Sequence, residues 1–248
     1  MPRFLTFVVI GFFAQIIDGA LGMAYGVSAT TFLLAFGVSP AAASASVHAA
    51  EVVTTALSGL SHLGFGNVDK NLFKRLVIPG ILGAVVGAYL LTALPADVIK
   101  PWIAGYLLLM GVFILLKAIR NIAPAHVTSH LFPLGLVGGF LDAIGGGGWG
   151  PIVVSTLVAR GNNPRLTIGS VNLAEFFVAL TASITFVLAI GQDLRQMLYA
   201  IAGLALGGAI AAPLAAFITS RIKARLLMFI VGVLIIVLSL RTILLVAL

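Results

Sequence analysis

The sequence predicts an all-α polytopic membrane protein made of two four-segment repeats, and three observations carry that prediction. Of its 248 residues, 61% are hydrophobic and only 8% charged, with a mean hydropathy of +1.20, which no soluble domain of this size shows. Charge-poor stretches fill nearly the whole chain, and each approaches or exceeds the roughly 20 residues that a helix needs to cross a hydrocarbon core about 30 Å thick. The two halves also repeat at an offset of 124. Asp18 aligns with Asp142, Glu51 with Glu175 and Asp69 with Asp193. Between residues 18 and 51 the same offset matches Gly22, Gly26, Leu33, Ala35, Gly37, Pro40, Ser46, Val47 and Ala50 with identical residues at 146, 150, 157, 159, 161, 164, 170, 171 and 174. Duplicated apolar segments that carry paired ionisable residues are the pattern of a secondary transporter. Residues 1–124 and 125–248 are read as the N- and C-terminal repeats of one transmembrane domain.

Composition also excludes other classes. The net charge of +7 comes from fourteen Lys and Arg that sit in short loops between apolar stretches, as the positive-inside rule describes, so it does not point to nucleic acid. Without cysteine there is no disulfide framework, thiolate metal site or Cys nucleophile. Residues 4 to 17 imitate a signal peptide, but 134–150 repeat this region deep inside the chain, and the first segment is expected to be retained.

Apolar segments run at about 4–36, 40–63, 76–94, 101–116, 131–159, 166–190, 196–218 and 226–248, four in each half. Turn and helix-stop residues separate most of them: Gly37 to Pro40, Gly64 to Asp69, Pro95 to Pro101, Gly161 to Pro164 and Gly191 to Asp193. The second helix of each half starts just after Pro40 or Pro164, because proline suits a first helical turn. The first segment of each half is too long, since 33 helical residues would run about 50 Å. A break is written at DGALGMAYG (18–26) and DAIGGGGWGP (142–151), leaving two arms too short to span comfortably. Each first segment is therefore read as a re-entrant helical hairpin with a Gly-rich tip, which membranes tolerate only where protein or water surrounds it. The alternative is that these glycines merely allow close helix packing.

The basic residues discriminate between topologies. Single crossings throughout divide the fourteen cations 8 to 6 between the two sides, whereas hairpins divide them 10 to 4, with Lys70, Lys74, Arg75, Lys117, Arg120, Arg160, Arg165, Arg221, Lys223 and Arg225 together. The second division is a normal positive-inside bias. Three full crossings per half then make the repeats inverted and place both termini outside the cytoplasm.

Several stretches resemble a known family: Gly11 to Gly26 followed by the small-residue helix Ala41 to Ser58, the loop GNVD (66–69), PGILGAVVGAYL (79–90) and GGFLDAIGGGGWGP (138–151). They are similar to the sulfite exporter TauE/SafE family over essentially the whole chain. The first copy departs from the Gly-rich pattern at Leu21, Met23 and Ala24. The resemblance implies a small inner-membrane transporter of sulfite or organosulfonate anions, without ATPase or cofactor.

The residues point to an anion independently. No Lys or Arg lies near the middle of a predicted crossing, but a broken helix offers freed backbone N–H groups and a positive N-terminal end. The tips Gly22 to Gly26 and Gly146, Gly147, Gly148 and Gly150 are the expected substrate site, with Tyr25 and Trp149 at equivalent positions as walls, hydrogen-bond donors or simple packing. SVHAAE (46–51) and SVNLAE (170–175) follow on the next helices, where spacings of three put His48 with Glu51 and Asn172 with Glu175 on one face. Charges at this depth are costly and mark a pathway or a proton relay. Glu51 and Glu175 are thus expected to carry the coupling proton, with His48 as asymmetric partner and Ser46, Ser170 and Asn172 as neutral hydrogen-bonding groups. The competing reading has each Glu bind freed backbone amides without changing charge. Asp18 and Asp142, just before the tips, are expected to cap half-helices.

The expected function is therefore proton-coupled secondary transport of a small sulfur oxyanion by alternating access, within the lipid bilayer and without a resident metal. A passive anion channel is the main alternative. A divalent metal-ion transporter would use the HxxE and nearby acids, but only His48 supplies nitrogen there. An intramembrane enzyme lacks a GxSxG or HExxH motif.

Overall fold

The long apolar segments form helices in the computed structural model, which describes residues 2–21, 23–119, 130–160, 162–190, 197–219 and 224–247. Gly22 of the expected substrate site, the turn residues Gly161, Gly191 and Asp193, and the loop cations Arg120, Arg195, Arg221 and Lys223 lie outside the described residues. The helices are α1 (Pro2–Leu21), α2 (Tyr25–Ala35), α3 (Pro40–Gly64), α4 (Lys70–Ala93), α5 (Ala96–Ile119), α6 (Leu131–Gly145), α7 (Ser155–Ala159, preceded by a π-helical turn Gly150–Val154), α8 (Pro164–Ile190), α9 (Leu198–Thr219) and α10 (Ala224–Ala247). Lys70–Ala93, Ala96–Ile119 and Leu166–Ile190 are each long and apolar enough to cross a membrane. This is an all-α polytopic membrane protein.

Local chemistry sets the boundaries. Both α3 and α8 begin at the prolines that the repeat aligns, where a missing amide hydrogen costs nothing. Asp69 caps α4, its Oδ1 accepting from Asn71 N at 2.8 Å and Leu72 N at 3.1 Å. The first segment of each half is broken where its sequence loses helical character. In the first break Ala24 takes the left-handed conformation (φ 90°, ψ 6°), while in the second Gly146 (φ 66°) and Gly147 (φ 147°) do so. Pro151 then withdraws one donor from the backbone ladder as the chain leaves through the π-helical turn.

Lipid gives helices no hydrophobic reason to associate, so close packing must hold the bundle together. Repeat mates Gly83 and Gly207 show how. A methyl at Gly83 would overlap the Leu136 carbonyl of α6, and one at Gly207 the Val8 carbonyl of α1. α4 thus lies on α6, α9 lies on α1, and α5 pairs with α10 and α3 with α8. Helix directions follow from the contacts. Gly203 meets Phe4, Phe7 and Val8 while Gly207 meets Val8 and Phe12, so α1 and α9 run the same way. In the α3–α8 pair, His48 faces Phe186, Gly59 meets Leu173 and Asn67 meets Gly169, which is an antiparallel pairing. α5 and α10 are also antiparallel, with Gly111 against Ile235 and Ile236 and Leu115 against Gly232.

Candidate functional site

The two breaks touch one another at the centre of the buried core. Gly26, in the first turn of α2, has no room for a side chain: a Cβ there would stand 2.7 Å from Gly147 Cα and 2.8 Å from Glu51 Oε1. Thr30 Oγ1 donates to the Gly146 carbonyl, and the Tyr106 hydroxyl donates to the Gly147 carbonyl at 3.0 Å. Each break is bridged by the acid that precedes it. Asp142 Oδ1 accepts from Trp149 N at 2.9 Å, and its repeat mate Asp18 accepts from Tyr25 N at 3.4 Å. In both cases a carboxylate meets the first amides of the following half-helix, where the helix dipole favours negative charge.

His48 and Glu51 reach this point from α3. The spacing of three brings both onto the face that looks at the second break, and one ligand atom from each of His48, Glu51 and Asp142 lies within 4.8 Å of the others. His48 and Asp142 are completely or almost completely buried (0% and 1% exposed), and Glu51 is 2% exposed. The ring of His48 is oriented from behind. Its Nδ1 sits 2.8 Å from the Ser44 carbonyl oxygen, and the Ser44 hydroxyl, 3.2 Å from the same nitrogen, itself donates to the Ala143 carbonyl at 2.6 Å. A carbonyl only accepts, so Nδ1 carries a hydrogen. Nε2 then faces Asp142 Oδ2 at 3.1 Å. Two lone pairs at that distance would repel, so the contact holds one proton, on either the nitrogen or the oxygen. Glu51 Oε2, close by, has no hydrogen-bond partner among the described residues. Asp18, Asp142 and Glu175 all lie within electrostatic reach of Glu51.

The other residues singled out in the sequence take different places. Tyr25 and Trp149 are buried, and their polar tips are engaged: Tyr25 OH donates to the Leu204 carbonyl at 3.1 Å and Trp149 Nε1 to the Val171 carbonyl at 3.1 Å. Gly148 and Gly150 are buried in the second break, with Gly148 beside Tyr106 and the Asp142 amide. Ser46 turns back onto the Ala42 carbonyl at 2.7 Å. Ser170 accepts from Asp69 N at 2.8 Å at the start of α4, and Asn172 donates to Ser58 Oγ of α3 at 2.9 Å, so both tie α8 to its neighbours rather than serve the breaks. Glu175 is half-buried. A separate polar cleft opens between the start of α4 and the α7–α8 connection, lined by Asp69, Arg75, Asn162, Asn163 and Thr167 among others.

Ser44, Thr30 and Tyr106 were not legible as site residues. Their positions at offset 124 are Ile168, Val154 and Ile230, so the duplication that singles out the acids is silent about them.

A family model of the sulfite exporter TauE/SafE family matches residues 7–242. A protein of Bacillus subtilis (strain 168), the "Probable membrane transporter protein YtnM", is 46% identical over 250 residues, covering 98% of this chain and 83% of that protein. No solved structure matches. The family match runs through both broken segments and the helices that carry Glu51 and Glu175, and on that ground the chain belongs to the TauE/SafE sulfite exporter family and is a membrane transporter.

Proposed function

We propose that this chain is a secondary transporter that moves a small sulfur oxyanion, sulfite or an organosulfonate, across the inner membrane together with a proton. The observation that carries the reading is the meeting of both breaks over the His48–Asp142–Glu51 cluster. An anion crossing beside four deep carboxylates is repelled unless positive charge travels with it. The shared His48–Asp142 proton and Glu51 Oε2, which has no partner among the described residues, supply a place to hold that charge and one to pass it to. Glycine-rich backbone at the second break offers the anion close approach without a cationic side chain once the crossed breaks move apart.

Residues 1–124 and 125–248 act in this reading as inverted repeats that rock about the crossed breaks. Helix directions support it. α1 runs with α9, α8 and α9 are successive crossings, and α8 opposes α3, so α1 and α3 run the same way and α2 must return between them. The Asp69–Ser170 bond and the cleft joining Arg75 to Asn162 and Asn163 also support one end of the bundle for the 65–69 loop and for Asn162 and Asn163. Single crossings would separate them. With ten cations at that end, it is cytoplasmic and both termini are not.

The test is uptake by proteoliposomes of sulfite, sulfate, thiosulfate and small sulfonates, with and without an imposed proton gradient. Gradient-driven accumulation of at least one of these anions is expected. Voltage-following flux that ignores the gradient would instead establish a channel. One observation favours a second reading: an imidazole nitrogen and two carboxylates within 4.8 Å also make a three-ligand set for a divalent cation. Competition among divalent cations for uptake, with no anion flux, would establish that reading.

A further inference from the structure

Beside the first break stands a cation that loop counting assigns to the surface. Lys117, in the last turn of α5, is half-buried, and its Nζ donates to Ser155 Oγ at 3.0 Å and reaches Met23 Sδ at 4.0 Å. Ser155 Oγ itself lies 3.6 Å from Met23 Sδ. Two strong donors, an ammonium and a hydroxyl, therefore converge on a thioether, one of the weakest acceptors a protein has. Met23 belongs to the first break and Ser155 opens α7, so the three groups join the two halves.

Among the described residues no carboxylate neutralises this ammonium. The chain has seven acids; six are described, and none of the six forms an ion pair with Lys117. The seventh, Asp193, lies outside the described residues. A half-buried ammonium with no counter-ion among the described residues is costly, and beside a broken membrane helix it points to a functional site. The duplication sharpens the point. At offset 124 from Lys117 stands Arg241, whose Nη1 donates to the Ala35 carbonyl at 2.7 Å and so caps the end of α2. One cation of the pair is committed to structure, and the other has hydrogens to spare.

We propose that Lys117 and Ser155 form a binding station for the oxyanion at the first break, where its oxygens replace the Met23 sulfur as acceptor of the ammonium and hydroxyl hydrogens. This rests on the anion-transport reading and adds to it a cationic anchor distinct from the carboxylate cluster at the second break. The ligand class is a small tetrahedral or pyramidal sulfur oxyanion, whose oxygens lie close enough together to take both donors at once.

The test uses the full chain in proteoliposomes, with uptake of sulfite, sulfate, thiosulfate and methanesulfonate measured against concentration. Loss of a charge-assisted hydrogen bond in Lys117→Gln raises the half-saturation concentration by about tenfold or more, whereas Lys117→Arg keeps it within about threefold because the charge remains. Ser155→Ala gives a smaller rise. Because the chain has no cysteine, Lys117→Cys can be alkylated with 2-bromoethylamine, which restores an ammonium at nearly the original reach. That treatment restores half-saturation, and a neutral alkylating reagent does not. Unchanged half-saturation in Lys117→Gln, or equal rescue by both reagents, overturns the station while leaving anion transport standing. Absence of oxyanion uptake by the wild-type chain overturns both.

Discussion

Replacing Gly26 by alanine adds one methyl group at the point where the two breaks meet. Its Cβ would stand 2.7 Å from Gly147 Cα and 2.8 Å from Glu51 Oε1, whereas carbon atoms in ordinary contact are about 3.5–4.0 Å apart. One backbone must therefore retreat by about 1 Å, and overpacking of this kind costs about 1–3 kcal/mol. Backbone cannot swing aside as a side chain can. If the cost falls on the crossed arrangement alone, the population of that arrangement drops by roughly five- to 150-fold, at about 1.4 kcal/mol per factor of ten. The assay is initial uptake in proteoliposomes beside Gly105→Ala, whose added Cβ meets nothing within 4 Å. We expect Gly26→Ala to lose most of its uptake while Gly105→Ala stays at the wild-type level, with both inserted to the same extent. Equal uptake by both variants would show that the crossing of the breaks is not part of the transport cycle.

Further outcomes follow from the same geometry. Glu51→Gln and Glu175→Gln should bind substrate but lose the pH dependence of transport; a wild-type pH profile in both would remove these residues from proton coupling. His48→Gln, which keeps a hydrogen-bonding group but cannot be protonated, should lower gradient-driven accumulation more than anion exchange; equal loss of both would make His48 a structural residue. Gly147→Val, at φ 147° and against the Gly26 backbone, should abolish uptake without preventing insertion, and wild-type uptake there would discard the backbone site. Cysteines placed singly at Arg120 and Arg165 should label from the same side of the membrane, and labelling from opposite sides would restore single crossings.

Composition and periodic apolar runs are enough to read the helices, because a membrane constrains segment length and polarity more tightly than water does. The breaks were legible for the same reason: Gly-rich tracts and overlong apolar runs conflict with a single helix at Ala24 and at Gly146 to Gly147. The duplication then marked the acids that gather there. What could not be read was which groups face which across the bundle. The His48–Asp142 contact joins α3 of one half to α6 of the other, and no spacing along one chain encodes it. Ser170 and Asn172, symmetric in sequence with Ser46 and His48, tie α8 to the start of α4 and to α3 because the Asp69 amide and the hydroxyl of Ser58 offer them partners. Lys117 had a signal in its alignment with Arg241, but its place at a helix end made it resemble a loop charge.

Ala24 is the one non-glycine residue that the breaks hold in the left-handed region. An L-residue there is disfavoured by roughly 1–2 kcal/mol, whereas the second break bends at glycines. In a rocking carrier made of inverted halves, the inward- and outward-open forms arise when the halves exchange conformations, so identical halves would leave the forms equally populated. Unequal tension in the two breaks tilts that balance, by a factor of about 5 to 30 if it is released in only one form. The protein would then rest with its site open mainly to one compartment, so its apparent affinity would differ between the two sides, while the gradients of substrate and proton still set the direction of net flux. Ala24→Gly removes that tilt, and accessibility of a single cysteine near Met23 from each side of the membrane measures it.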